Sequence, residues 1–103
     1  MAKIHFIERI THFELVDKDN HIWNSLAWAL TEETAKKLIG AEIYFHRGQS
    51  LPSHFGGVIE SYWVIDSGPD EGRIGFRMKA DQKYKGIKTS KDGWSFEKKI
   101  EWD

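Results

Sequence analysis

Five histidines and no cysteine set the chemistry open to this chain. Without thiols there is no disulfide, thiolate metal site or cysteine nucleophile. His46, Arg47, His54, Gly56 and Gly57 cluster around one segment, with Ser50 and Ser53 between them. Arg47 has the fork geometry that holds a phosphate or carboxylate. Paired glycines let a ligand approach the backbone and expose its N–H groups. The same pair is also what a β-bulge beside a polar loop would contain, so two readings of this segment stand. His46 or His54 beside Glu42 or Glu60 would make an acid–base pair. Those four residues could also form a three-ligand metal site. They match no compact ligand spacing, however, and scattered histidines ordinarily sit on the surface or in hydrogen-bonded cores; no metal or cofactor is assigned. Ser53 and His54 are adjacent, so an extended chain points them apart and they make no nucleophile–base pair. Phosphate-loop, dinucleotide-fold and nucleophile-elbow motifs do not occur.

Tryptophan offers a second kind of chemistry, with five among 103 residues. Trp63 and Trp102 fall on strand-like alternation and are expected to fill the core. Trp23 and Trp28 sit beside Asn24 and Ser25, where an indole can stack on a base while the polar neighbours read its edge. A basic run follows: Arg73, Arg77, Lys79, Lys83, Lys85, Lys88 and Lys91. It can be read as a solvated sheet edge. It can equally be a phosphate-tracking strip, because the acidic residues concentrate elsewhere, in 8–33 and 66–71.

These side chains need elements to hold them. Residues 4–10, 13–16, 23–30, 41–47, 57–66, 73–80, 87–89 and 94–102 alternate or run apolar as strands do. Apolar residues on both faces of 57–66 predict a central strand, and 73–80 is expected to return antiparallel to it. One helix is predicted over 32–39. Thr31 is its N-cap, Glu32 and Glu33 lie in its first turn, and Gly40 terminates it. The fold class is therefore α+β: a small, curved, mostly antiparallel, β-barrel-like sheet with one main helix.

The length allows one domain, 1–103, with roughly two-thirds of its surface buried on folding. Fifteen basic residues against sixteen acidic ones, net −1, exclude a basic sheath for duplex nucleic acid but allow a local groove. No apolar run is long enough for a membrane span, and Met1-Ala2-Lys3-Ile4-His5 lacks a signal-peptide core. A cytoplasmic protein without a membrane partner is expected.

Gly40-Ala41-Glu42-Ile43-Tyr44-Phe45-His46 followed by Gly57-Val58-Ile59-Glu60-Ser61-Tyr62, after a helix, resembles the PUA-like superfamily, which includes EVE, ASCH and YTH domains. The resemblance covers about residues 21–103. It implies a small barrel, an association with RNA or DNA, and an aromatic-lined pocket for a modified or flipped base. That pocket would lie between the segment leading into the helix and the 40–47 strand, lined by Trp23, Asn24, Ser25, Trp28 and His46. The leading expectation is a non-enzymatic recognition module for nucleic acid or a modified nucleobase. Trp28 or Trp23 would border one cavity with His46 and the Gly56-Gly57 backbone, while Arg73, Arg77, Lys83, Lys85 and Lys88 held phosphates. The alternatives are a small hydrolase-like enzyme using His46 or His54 with Glu42 or Glu60, and a protein-interaction domain.

Overall fold

A computed structural model describes residues 2–8, 13–95 and 97–102. The described residues form seven strands: β1 (Lys3–Ile7), β2 (Phe13–Asp17), β3 (Ile22–Trp28), β4 (Glu42–His46), β5 (Ser53–Val64), β6 (Ile74–Ala80) and β7 (Lys98–Glu101). Helix α1 (Glu32–Lys37) lies between β3 and β4, and a 3₁₀ turn (Gln82–Tyr84) follows β6. The strands form one sheet in the order β2-β3-β6-β5-β4-β1-β7. Among the described residues only β1 and β4 pair in parallel. The two-faced strand β5 takes the central place, as its composition requires.

The sheet is rolled. Phe6 on β1 stacks on Trp28 of β3 with ring centroids 3.8 Å apart. Three strands separate those two in the sheet, a distance of about 19 Å if it were flat. Phe13 of β2 likewise meets Phe45 of β4 edge-on at 4.8 Å. The roll does not close into the expected barrel, because β2 and β7 remain as its two edges.

Alternation sorts the side chains. Ile4, Phe6, Ile43, Phe45, Ile59, Ile74, Phe76 and Met78 point inward and are buried, with Ala35, Leu38 and Ala41 sealing them from the helix side. The helix begins as predicted: Thr31 Oγ1 accepts from the Thr34 N–H. It ends at Lys37, two residues short of the prediction. The Leu38 N–H bonds back to Ala35, and the Gly40 N–H bonds instead to Ile59 O at 2.8 Å, drawing the chain into the sheet. Gly40 has φ +86°, a left-handed turn that suits glycine.

Five expectations shift. Strand β5 starts at Ser53 rather than 57, because Gly56 and Gly57 are spent on close packing instead of ending the strand. A Cβ on Gly57 would lie 2.1 Å from Lys79 O, and one on Gly56 2.6 Å from Ile43 O. Residues 87–89 form no strand. Ile87 docks on Ser53 through Ser53 N–H to Ile87 O, 2.8 Å, and Ile87 N–H to Ser53 Oγ, 3.0 Å. The last strand is confined to Lys98–Glu101, since Ser95 and Lys98 bond each other across a tight turn. Trp102, expected in the core, is 52% exposed beyond the end of β7. Trp63 is half-buried, its ring laid over Gly75 on the neighbouring strand, where a Cβ would meet it at 2.4 Å. Ile10 and Phe96, expected on strands, and His12, one of the five histidines, lie outside the described residues.

Candidate functional site

Inside the roll an aromatic column runs along β3. Trp23 meets the Phe55 ring edge-on at 5.5 Å. Phe55 lies 6.1 Å from Phe45, which lies 6.1 Å from Phe6, and Phe6 stacks on Trp28. Trp23 and Trp28 stand at opposite ends of β3, about 16 Å apart along an extended strand. Each marks one open mouth of the roll.

At the Trp23 mouth is a hollow of about 410 Å³ lined by His21, Trp23, Phe55, Lys79, Asp81, Gln82 and Lys85, with Ala80. Trp23 is only half-buried there. Asp81 is partly engaged, its carboxylate capping the 3₁₀ turn by accepting from the Lys83 N–H at 3.0 Å. Lys79 and Lys85 are exposed on the rim. The hollow therefore offers an indole, an edge amide and two cations within one concavity.

At the Trp28 mouth the indole is 9% exposed, with one face against Phe6 and its N–H donated to Ser25 Oγ at 2.9 Å. Ser25 is fully buried. Its hydroxyl serves the core and is not free to read a base.

A third cluster lies on the outer face of β4, β1 and β7. Tyr44, His5 and Lys99 are in register across those three strands. His5 stacks on Tyr44 at 4.9 Å, and Trp94 closes over His5 and His46. His46 Nδ1 is 2.8 Å from Leu51 O, His46 Nε2 is 2.9 Å from His5 Nδ1, and His5 Nε2 is 2.7 Å from Glu101 Oε1. Lys99 is buried, with all three ammonium hydrogens placed: on Thr89 Oγ1 at 2.8 Å, Ser90 O at 2.8 Å and Ser90 Oγ at 3.1 Å.

Burial lowers the His5 pKa from its ordinary 6.5. The Glu101 hydrogen bond opposes that shift, and the charges of His46 and Lys99 reinforce it. His46 and His54 are lowered mainly by burial too, His54 also by the Arg47 charge. For Glu101 burial pushes upward, but the His5 hydrogen bond and the nearby positive charges outweigh it and hold the carboxyl below its ordinary 4.5. Burial and the hydrogen bond to Glu42 raise Tyr44 well above 10.0, so its phenol stays protonated.

The predicted site residues are thus dispersed. Trp23 and Lys85 share a hollow, and Arg73 lines another groove with Trp28. Asn24 points to the outer face, accepting from Arg77 Nε at 3.2 Å. His46 is fully buried, with its nitrogens engaged by His5 and Leu51 rather than by Glu42 or Glu60. Glu42 accepts from the Tyr44 hydroxyl, and Glu60 is exposed. Gly56 and Gly57 are approached by the chain's own backbone, so the cavity expected to join them with His46 and a tryptophan is not the arrangement found. Arg47, Lys83 and Lys88 are exposed, the Lys83 ammonium lying 5.2 Å from the Tyr84 ring centroid. His54 is half-buried, and its Nε2 has no protein partner among the described residues. No three His, Asp or Glu side chains group as a metal site would require among the described residues.

Sequence reasoning singled out His46 but missed its pairing with His5 and the Glu101 and Lys99 side chains grouped beside them. The signal was present: His5 lies between Ile4 and Phe6, just as His46 follows Phe45, so both histidines face away from the same apolar layer.

No family model, curated protein sequence or solved structure matches the chain. No helix among the described residues is long and apolar enough to cross a membrane.

Proposed function

We propose that the chain is a recognition module for single-stranded nucleic acid or a nucleobase, acting through the Trp23 mouth. The observation that carries this reading is the shared hollow of Trp23, Lys79 and Lys85. Recognition of a single strand needs a stacking face for the base and cations for the adjoining phosphate, and both occur there. Gln82 supplies an amide at the same rim that can both donate to and accept from a base edge. Arg77 and Lys83, exposed nearby on β6 and the 3₁₀ turn, extend the positive ground beyond the hollow. The PUA-like resemblance supports the same ligand class, with the site moved from the β4 side to the amino end of β3.

With net charge −1, affinity rests on a few local phosphate contacts. The slope of log affinity against log salt should steepen by roughly 0.7 for each contact on a single strand. The test is fluorescence anisotropy of a labelled single-stranded oligonucleotide across a salt series, for the native chain and for Lys79→Gln/Lys85→Gln. The paired substitution should weaken binding and flatten the salt slope by about 1.4, two contacts' worth. Binding and slope unchanged in that variant would remove this hollow from the function.

A further inference from the structure

The opposite mouth of the roll carries a site of different chemistry. The groove beside Trp28 encloses about 610 Å³, within the range of small-ligand pockets. Its floor is apolar, made by Phe6, Ile7, Ala27, Trp28 and Ala29. Two cations stand over it. Arg73 Nη1 lies 3.4 Å from Ala27 O, and Lys98 Nζ donates to Ala29 O at 2.9 Å. Ala27 and Ala29 flank Trp28, so those carbonyls are at most about 7 Å apart along the chain. Arg73, Lys98 and Ala29 also line the adjoining groove toward the helix, which places the two cations where the grooves meet.

Neither cation makes an ion pair among the described residues. A guanidinium has five N–H donors and an ammonium three, so backbone carbonyls leave most of them unused. Both cations line the same two grooves, and a carboxylate seated where those grooves meet takes charge-assisted hydrogen bonds from these donors. Glu97 borders the same groove and Glu71 the adjoining one. We propose that this mouth binds a small organic carboxylate: its head on Arg73 and Lys98, with an apolar body laid along Ala27, Trp28 and Ala29. The site is independent of the nucleic-acid reading, since it uses none of the residues of the Trp23 hollow.

Backbone amide NMR titration tests it with three probes of known structure: indole-3-acetate, its neutral counterpart indole-3-ethanol, and acetate. Indole-3-acetate should saturate with shifts centred on Ala27, Ala29, Arg73 and Lys98. The neutral analogue should bind at least tenfold more weakly for want of the carboxylate, and acetate should not saturate for want of the body. Arg73→Gln/Lys98→Gln should erase the preference for the anion while its amide spectrum remains folded, and Arg77→Gln, on the outer face of β6, should preserve it. Equal binding of the acid and the alcohol would overturn the proposal, as would shifts centred on Trp23 and Lys85, or no saturation by any probe. Oligonucleotide binding measured on the same Arg73/Lys98 variant separates the two sites. It should be unchanged there, so failure at one mouth leaves the other reading standing or falling on its own test.

Discussion

His5 and His46 share a hydrogen across β1 and β4, Nδ1 to Nε2 at 2.9 Å, in an array that lacks one. Leu51 O can only accept, so the hydrogen of that contact belongs to His46 Nδ1. A neutral His46 then presents a bare Nε2, and His5 must donate from Nδ1. That leaves His5 Nε2 bare, facing the Glu101 carboxylate at 2.7 Å. Three contacts need three hydrogens, and two neutral imidazoles with an ionised carboxylate supply two. Adding the third at His5 charges a buried ring, which burial resists and the Glu101 carboxylate favours. The contact between β1 and β7 is therefore under opposed demands: a proton costs desolvation, and its absence sets two acceptors together.

Glu101→Gln resolves that conflict and is the first prediction. The amide donates an N–H to His5 Nε2, completing the array without a charge. The variant should be more stable than the native chain at pH 8, by about 1 kcal/mol, the net value of one hydrogen bond. Removing the carboxylate also removes the influence that raises the His5 pKa, so the advantage should shrink as pH falls toward 5. Denaturant unfolding of both proteins at the two pH values checks it. A variant less stable than the native chain at pH 8 would show that the carboxylate contact is favourable as it stands.

The pH dependence of the native chain is a second prediction. His5, His46 and His54 all titrate below their ordinary 6.5 in the fold. Below that value the unfolded chain binds more protons than the folded one, so stability falls as pH falls. These contributions are fully present above 6.5 and are lost progressively beneath it, toward the lowered folded values. Glu101 adds a further loss below its ordinary 4.5, because its carboxyl is also held low in the fold. Unfolding free energies measured from pH 8 to pH 4 should decline from about 6.5 downward. A profile flat between pH 7 and 5 would contradict the burial of these rings.

The legibility of this chain followed the range of the interactions involved. Alternation placed Ile43 and Phe45 against Tyr44 and His46 correctly, because side-chain direction in a strand is local. The Thr31 cap was equally local. What escaped was decided across the sheet. The parallel pairing of β1 with β4 brings His5 to His46, forty-one residues away, and nothing near either residue announces it. Gly56 and Gly57 looked like a loop or a ligand approach. Their reason is the proximity of Lys79 O, Ile43 O and Tyr84, all distant in sequence. Trp23 and Trp28 stood together by sequence distance, yet a strand of this length sends them to opposite mouths.

A third prediction separates steric from conformational demand at glycine. Gly57→Ala would bring a Cβ to 2.1 Å from Lys79 O, where the β5–β6 ladder begins at the Gly57–Ala80 pair. Backbone cannot yield as a side-chain tip does, and the variant should lose about 1–3 kcal/mol or more. Gly40 has φ +86° and open space around its Cβ position. Gly40→Ala should therefore lose only the left-handed backbone penalty, about 1–2 kcal/mol. Equal spectra with unequal stability are expected. A Gly57→Ala chain as stable as the native one would mean that β5 and β6 separate more easily than their ladder implies.

The two indoles give the last prediction, because they divide packing from recognition. Trp28 is 9% exposed, stacked on Phe6 and hydrogen-bonded to Ser25. Trp28→Ala should cost about 3–5 kcal/mol by leaving a cavity beside Phe6 at the end of the aromatic column, with the Ser25 hydroxyl losing its donor as well. Trp23 is half-buried, held by the edge of Phe55 and open to its hollow. Its truncation removes less buried area and should cost roughly half as much, about 1.5–2.5 kcal/mol. Oligonucleotide affinity should fall by about 1–3 kcal/mol per stacked base in Trp23→Ala, measured where the variant remains folded. Paired melting and anisotropy measurements decide the matter. If Trp23→Ala destabilises the fold as severely as Trp28→Ala and leaves the affinity of its folded fraction unchanged, both indoles belong to the core, and recognition through the Trp23 mouth loses its stacking face.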